Sequence, residues 1–185
     1  MISAHRLREV RLRPLCTLDA EAFATLAGDR AIADTMISIP HPLSVERARN
    51  WIQERSRTDA CCCAFAICDS TSDRLQGYVG IADISSEHRL GELSFWIGRP
   101  YWGRGLAEKA GRAALTHAFD TLELNRLQAF CMVRNAASGR VLEKLGFRRE
   151  GLLAQRVLKW SIFEDVTAYG LLRHDWNTRD AQSTD

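Results

Sequence analysis

The sequence lacks a strong charge of either sign. Its 25 Lys and Arg residues nearly balance 23 Asp and Glu residues, which leaves a net charge of +2 over 185 residues. Nucleic-acid-binding surfaces are normally strongly basic, so we expect no nucleic-acid partner. Apolar runs near the ~18 residues of a membrane span are also missing, and we expect no membrane partner. Met1–Arg13 lacks the apolar core of a signal peptide, which predicts a cytoplasmic protein.

Recognisable metal-binding spacings are missing as well. The six cysteines form no Cys-x-x-Cys pair and no Cys/His ligand pattern. We therefore expect no metal site, and reduced, mostly buried thiols. The cysteines are Cys16, Cys61, Cys62, Cys63, Cys68 and Cys131.

Repeats, low-complexity tracts and linkers are absent, and 46% of the residues are hydrophobic. This length and composition predict a single domain over residues 1–185, with its core at about 8–176 and a short polar tail at 177–185. A homodimer is an assembly that the sequence allows.

Hydrophobic periodicity predicts the element order β-α-α-β-β-β-α-β-α-β-β. The first strand, Val10–Leu15, is expected at a sheet edge because it contains proline. Thr17 is expected to cap the first helix with Leu18 on its buried face, and Ser44 to cap the second helix. The remaining segments are strands at 61–68, 77–84 and 90–98, a helix at 104–122, a strand at 127–133, a helix at 138–145, and strands at 153–160 and 165–172. This order predicts an α/β layer fold around a mixed sheet of about seven strands with about four helices.

The most informative stretch is the segment 98–107, between a strand and the long helix. Gly103 and Gly105 let the backbone turn tightly and approach a ligand. The helix start beyond them offers free N–H groups, so a pyrophosphate site is one reading and a plain strand-to-helix turn is the other. A P-loop is excluded because Arg104 stands where Lys is required, and a dinucleotide fingerprint because Glu108 replaces its third glycine.

Trp102-Gly-Arg-Gly-Leu-Ala107 resembles the acetyl-CoA pyrophosphate loop of the GNAT superfamily, Q/R-x-x-G-x-G/A. Trp in the place of Gln/Arg resembles the RimJ/RimL-like branch, which contains N-terminal acetyltransferases of ribosomal proteins. Four further segments resemble that branch in the same order, so the resemblance covers about residues 8–176. They are Arg11–Leu15, Gly91–Ile97, Asn135–Phe147 and Asp165–Trp176.

The resemblance implies the GNAT acyl-CoA N-acyltransferase fold, a mostly antiparallel sheet that splays open between its fourth and fifth strands. It implies acetyl-CoA as the cosubstrate, with the pantetheine in the gap and its amide paired with a strand edge. The residues implied to bind it are Ile97, Trp102, Gly103, Arg104, Gly105, Leu106, Ala107, Asn135 and Ser138.

Glu92 is the first candidate for catalysis, because acetyl transfer requires a neutral amine and a positioned thioester. It is the only acid in the strand at 90–98, and alternation places it on one face with Ser94 and Trp96. A half-buried carboxylate there could accept the amine proton through a water molecule. The alternatives are an ion pair with a nearby arginine and a counter-ion role for the acceptor amine.

Ser138 is the second candidate. Many GNAT enzymes use a tyrosine in this helix to protonate the leaving thiolate, but Leu142 stands there. The RimL-like pattern has a serine at 138, whose hydroxyl could donate to the CoA sulfur; helix capping is the alternative, and both could hold. Cys131 and Tyr169 flank the expected gap, and structural roles are favoured for both.

The acceptor favoured by this reasoning is a protein N-terminal α-amine. Its pKa lies near 8 against ~10.4 for lysine, so roughly a tenth is neutral at pH 7 compared with about one in a few thousand. Acetylation of a small amine, such as an antibiotic, a polyamine or an amino-acid conjugate, is the first alternative. A CoA-binding module without turnover is the second.

Overall fold

Seven strands and six α-helices make up the part of the chain that the computed structural model describes, residues 10–56 and 61–182. The strands are β1 Arg11–Pro14, β2 Cys63–Cys68, β3 Leu75–Ser85, β4 Leu90–Ile97, β5 Arg126–Met132, β6 Arg148–Lys159 and β7 Ile162–Leu172. The helices are α1 Ala20–Ala27, α2 Arg30–Ala33, α3 Val45–Arg55, α4 Leu106–Thr116, α5 Ala136–Leu145 and α6 Arg173–Gln182. Expectations about residues 1–9 and 183–185, at the N-terminal segment and the end of the polar tail, lie outside the described residues.

The strands join in the order β1-β2-β3-β4-β5-β7-β6. Every neighbouring pair is antiparallel except β4 and β5, which are parallel. The prediction of a mixed, mostly antiparallel seven-stranded sheet in an α/β fold is therefore confirmed. β1 lies at one edge, where Pro14 opposes Phe65 of β2 and has no second neighbour that would need its missing N–H.

β4 and β5 pair over a short length. The paired residues are Leu90–Glu92 of β4 and Arg126–Gln128 of β5. Beyond them β4 continues along β3 as far as Ile97, whereas β5 continues along β7 as far as Met132. The two strands therefore diverge, and the sheet has a gap on the side where β4 ends and the chain enters α4.

The sheet separates two apolar cores. On one face α4 and α5 cover a core that contains Leu93, and on the other face α1 and α3 cover a core that contains Phe23 and Trp96. Because side chains alternate along β4, Glu92 and Ser94 lie on the same face as Trp96. The two faces thus present different side chains to the gap.

The first helix departs from its predicted phase. A 3-10 turn, Thr17–Asp19, precedes α1, so Asp19 and not Thr17 is the residue directly before the helix. The turn leaves Leu18 92% exposed, and its predicted place on the buried face is wrong. The Asp19 carboxylate accepts hydrogen bonds from the Arg13 guanidinium at 2.6 and 2.8 Å, which fix the turn against β1.

The starts of α3 and α5 follow their capping side chains. The Ser44 hydroxyl accepts from the Arg47 N–H at 3.2 Å, which confirms the predicted cap. α5 begins at Ala136, two residues before the predicted Ser138, because the Asn135 side chain caps it. No sequence pattern predicts α2, which is too short for a periodicity signal. α6 runs through the polar segment that composition assigns to a tail.

The six cysteines are free thiols. Cys68 and Cys131 are buried, but Cys61 is exposed and the other three are half-buried, so the expectation of mostly buried thiols is wrong. Cys61 precedes β2, which starts at Cys63, and the strand is covered only beyond that point.

We expect the α4–α5 contact to reverse the usual effect of replacing a helical glycine. Alanine normally stabilises a helix interior by about 1 kcal/mol relative to glycine. At Gly111 of α4 the added methyl group would lie 2.5 Å from Leu145 Cδ1 of α5, so Gly111→Ala should destabilise the protein. The expected cost is about 1–3 kcal/mol.

In a Leu145→Ala background the clash is removed, and the same change should stabilise by about 1 kcal/mol. Urea unfolding of the four proteins measures both effects. A stabilising effect in the otherwise wild-type chain would show that α4 and α5 are not packed this closely.

Candidate active site

The gap in the sheet presents backbone groups of β4. The Gly98 N–H donates to the Gln76 carbonyl of β3 at 2.7 Å. Because hydrogen bonding alternates along an antiparallel strand, Phe95 and Ile97 direct their N–H and C=O groups away from β3 and into the gap. An extended ligand could therefore pair with this edge of β4 as an added strand would.

The glycine loop leads from the end of β4 into α4. Gly103 and Gly105 have φ angles of 75° and 71°, a left-handed conformation that glycine adopts without strain. A β-carbon at either position would meet no described atom within 4 Å, and residues 102–105 are exposed. The described residues provide no side-chain cap for α4. Its first N–H groups therefore face open space, where they fit an anionic phosphate.

Trp102 closes the glycine loop onto β4. Its indole Nε1–H donates to the Ile97 carbonyl at 2.6 Å, while the residue remains 50% exposed. The bond occupies the C=O of Ile97 and leaves its N–H directed into the gap. Trp102 departs from the GNAT loop pattern, and nothing in the sequence indicates this hydrogen bond between the loop and β4.

A cavity of about 90 Å³ lies where β4 and β5 diverge. Glu92 stands at the last paired position of the two strands, opposite Gln128 of β5. Glu92 reaches the cavity from one side of the gap, and Asn135 and Ser138 reach it from the start of α5. The lining residues are Thr35, Met36, Ile37, Ser38, Glu92, Leu93, Ser94, Phe95, Ala129, Phe130, Cys131, Asn135, Ser138 and Leu142. Both candidate catalytic residues therefore share one cavity, whereas the glycine loop and Ile97 lie outside it.

The carboxyl group of Glu92 is adapted to hold a proton more strongly than usual. Burial raises its pKa, and the negative charge of Asp83 on β3 raises it further. Arg156 of β6 and a hydrogen bond with Gln128 act in the opposite direction and do not cancel the rise. A carboxylate with a raised pKa is a stronger base than an ordinary glutamate, which favours it as a proton acceptor.

Asn135 and Ser138 form a closed pair at the start of α5. The Ser138 N–H donates to Asn135 Oδ1 at 3.2 Å, and Asn135 Nδ2 donates to Ser138 Oγ at 2.9 Å. Asn135 is thus the cap of the helix, and Ser138 lies in its first turn. Because Ser138 Oγ accepts a bond from Asn135, the hydroxyl proton is turned towards other acceptors, such as one placed in the cavity.

A second cavity, of about 230 Å³, lies beside the first and shares Cys131 and Asn135 with it. Cys131 and Tyr169 are 7% and 6% exposed. Burial raises the pKa of both groups, which are also hydrogen-bonded to each other. A neutral thiol and a neutral phenol in mutual contact have the character of core residues, as the sequence favours for both.

The wall formed by residues 35–38 is the part of the cavity that sequence reasoning missed. These residues follow α2, and they line the cavity together with residues of β4, β5 and α5. They carry no motif and no charge, since the segment reads Thr-Met-Ile-Ser. A long-range contact places them at the cavity, and no local pattern in the sequence could have indicated it.

Residues 9–148 match the family described as Acetyltransferase (GNAT) domain. Among relatives, Probable N-acetyltransferase YjcK of Bacillus subtilis is 31% identical over 91% of this chain and 96% of its own length. Spermidine N(1)-acetyltransferase of Escherichia coli is 29% identical over 83% of this chain and 78% of that enzyme. Ribosomal-protein-serine acetyltransferase of the same species is 29% identical over 52% of this chain, and the match spans 54% of that enzyme.

The fold is also found among solved structures. Spermidine N-acetyltransferase from Vibrio cholerae, solved in complex with CoA and spermine, superposes with a TM-score of 0.82 at 23% identity. The match covers 91% of this chain and 98% of that one. Within residues 10–56 and 61–182, no helix has the length and apolar character to cross a membrane, and no three metal-ligating side chains cluster together.

Proposed function

This chain belongs to the GNAT acetyltransferase family, and we propose that it transfers the acetyl group of acetyl-CoA to the α-amine of a protein or peptide N-terminus. It is an acyltransferase, an N-acetyltransferase of the GNAT type. The choice of acceptor rests on one observation, the charge of the cavity where β4 and β5 diverge.

The glycine loop and the free edge of β4 would hold acetyl-CoA. The open space around Gly103 and Gly105 fits a pyrophosphate, which would accept hydrogen bonds from the N–H groups that lead into Leu106 and Ala107. Arg104, exposed beside them, would offset the phosphate charge. Pantetheine would extend along the backbone of β4, where the Ile97 N–H faces the gap.

The residues that line the cavity include a single formal charge. Glu92 is the only ionisable acid or base other than the Cys131 thiol among the lining residues. One carboxylate matches one ammonium group, as in a peptide N-terminus, whereas a polyamine presents several cations that would need several carboxylates. The spermidine-acetylating relative is 29% identical over 83% of this chain and the ribosomal-protein relative 29% identical over 52%. Identity therefore does not separate the two acceptor classes, and the charge of the cavity lining is what supports an acceptor with one amine.

Glu92 would remove the proton from the incoming amine. Its raised pKa lets it accept this proton, directly or through a water, and the neutral nitrogen then attacks the thioester carbonyl carbon. The attack forms a tetrahedral centre whose nitrogen carries one proton more than the amide keeps. The C–S bond breaks as the centre collapses, and that proton passes to the departing thiolate, which leaves as the CoA thiol.

Ser138 would act on the sulfur atom of the C–S bond that breaks. Its hydroxyl, held in place by Asn135 Nδ2, would donate a hydrogen bond to the leaving thiolate of CoA. Asn135 would thus serve as the cap of α5 and as the residue that orients Ser138 beside the cofactor.

An acceptor panel tests the proposed function. We compare kcat/KM at pH 7 for a peptide with a free N-terminal serine, the same peptide blocked at its N-terminus but carrying an internal lysine, and spermidine. The free α-amine should exceed the lysine by about 10²-fold, because its lower pKa makes its proton easier for Glu92 to remove. A higher value for spermidine would contradict the proposal and favour the polyamine acceptors of the spermidine-acetylating relative.

Replacing Glu92 by Gln should reduce activity most at low pH. The variant can use only amine that is already neutral, so its rate should fall about tenfold per pH unit below the α-amine pKa of about 8. The wild-type rate should hold until the pH falls through the raised pKa of Glu92. The affinity for acetyl-CoA, measured by calorimetry, should not change.

Asp83→Asn is the matched control for this variant. Removing the neighbouring negative charge should lower the pKa of Glu92 and move the acid limb of the wild-type profile to lower pH. A loss in Glu92→Gln that is the same at every pH would assign Glu92 a structural or counter-ion role instead.

Ser138→Ala should lower the rate of the chemical step by about 10²-fold, within the usual range for a proton donor. The backbone bond from residue 138 to Asn135 Oδ1 remains, so stability should change little. Asn135→Ala, which removes the cap, should instead cost about 1 kcal/mol of stability. The measurement is a single-turnover rate, and an unchanged rate in Ser138→Ala would restrict Ser138 to the first turn of the helix.

A further inference from the structure

We propose that Lys159 and Trp160, at the tip of the β6–β7 hairpin, are positioning residues that hold the 35–38 wall of the acceptor cavity in its binding shape. The inference rests on the proposed function for the identity of that cavity. It assigns a role to the hairpin, which lies far from the wall in sequence.

Lys159 is a buried cation whose hydrogen bonds are made to this wall. Its side chain is 6% exposed, and Nζ donates to the Met36 and Ile39 carbonyls, both at 2.8 Å. Burying an ammonium group is unfavourable unless it is well hydrogen-bonded. The two bonds to the backbone carbonyls therefore compensate the burial of Lys159, and they hold the segment that carries those carbonyls. The two carbonyls flank Ile37 and Ser38, and the bonds fix the chain on both sides of those residues.

Trp160 fixes the start of the same segment. Its Nε1–H donates to Asp34 Oδ1 at 2.7 Å, and the other Asp34 oxygen accepts from Arg134 Nη1 at 2.7 Å. Arg134 also donates to Glu164 of β7 at 2.8 Å. Asp34 is thereby joined to both the hairpin and the turn that leads into α5, and residue 35 is the first residue of the wall.

The backbone conformation of the hairpin turn indicates that side-chain contacts hold Trp160 in its place. Trp160 and Ser161 form the two-residue turn between β6 and β7, with φ angles of 51° and 64°. Such turns normally use Asn, Asp or Gly, and a tryptophan in the left-handed region is strained. Strain of this kind persists where the surrounding contacts fix it, and the bond to Asp34 is such a contact.

The wall and Glu92 thus have separate supports. Glu92 lies on β4, which pairs with β3 and β5, whereas the wall is hydrogen-bonded to the tip of the β6–β7 hairpin. Loosening the hairpin should change how the acceptor is held and leave the glycine loop as it is. We therefore expect a change in KM for the acceptor rather than in acetyl-CoA affinity.

The test uses the full chain with Lys159→Met, which keeps the length of the side chain and removes its donors, and Trp160→Phe, which keeps a ring and removes the Nε1 donor. Lys144→Met, on an exposed face of α5, is the matched control. For the peptide with a free N-terminal serine, KM should rise about tenfold in Lys159→Met and less in Trp160→Phe, with kcat within about twofold, as expected for lost uniform binding. Acetyl-CoA affinity should match the control.

Hydrogen exchange tests the support of the wall without an acceptor. Amides of residues 35–39 should exchange faster in both variants, and those of the glycine loop should not change. If Lys159→Met does not fold, the KM and the hydrogen exchange measured in Trp160→Phe decide whether the hairpin supports the wall. Unchanged KM and unchanged exchange would overturn the proposal, as would a parallel loss of kcat and acetyl-CoA affinity. If the wild type acetylates none of the panel amines, the proposed function fails, and the exchange result alone decides the role of the hairpin.

Discussion

The site depends on the short pairing between strands β4 and β5. β4 and β5 share three residue pairs and then part, each held on its far side by an antiparallel neighbour. Because β3 and β7 fix the two strands, the gap cannot close by a local adjustment. The backbone groups that β4 turns towards β5 then lack a strand partner, and buried backbone groups need one. A ligand with amide groups of its own can supply those partners.

The gap also brings groups from both faces of the sheet to one small cavity. Side chains that alternate along β4 bring Glu92 from the α1–α3 side, and α5 brings Ser138 from the opposite side of the sheet. A carboxyl group and a hydroxyl group thus approach the same space from different directions. Burial and Asp83 raise the pKa of the acid, and Asn135 orients the hydroxyl, so each group is adjusted by its own surroundings.

The sequence predicted those parts of the site that depend on residues close together along the chain. The glycines that open α4, the single acid in β4 and the alternation of that strand are all visible in the sequence, and together with the resemblance they indicated fold and chemistry. Leu18 was misplaced because a 3-10 turn shifted the phase of α1. The 35–38 wall and its support by Lys159 could not be predicted, because they depend on contacts across more than a hundred residues.

The most direct test of this account is a crystal structure of the protein with CoA. The account predicts the pyrophosphate against the N–H groups between Gly103 and Ala107, pantetheine paired with β4 in the gap, and the CoA sulfur beside Ser138. A structure with CoA bound elsewhere, for instance at the Arg140 and Arg149 side of the second cavity, and the gap between β4 and β5 empty would contradict it.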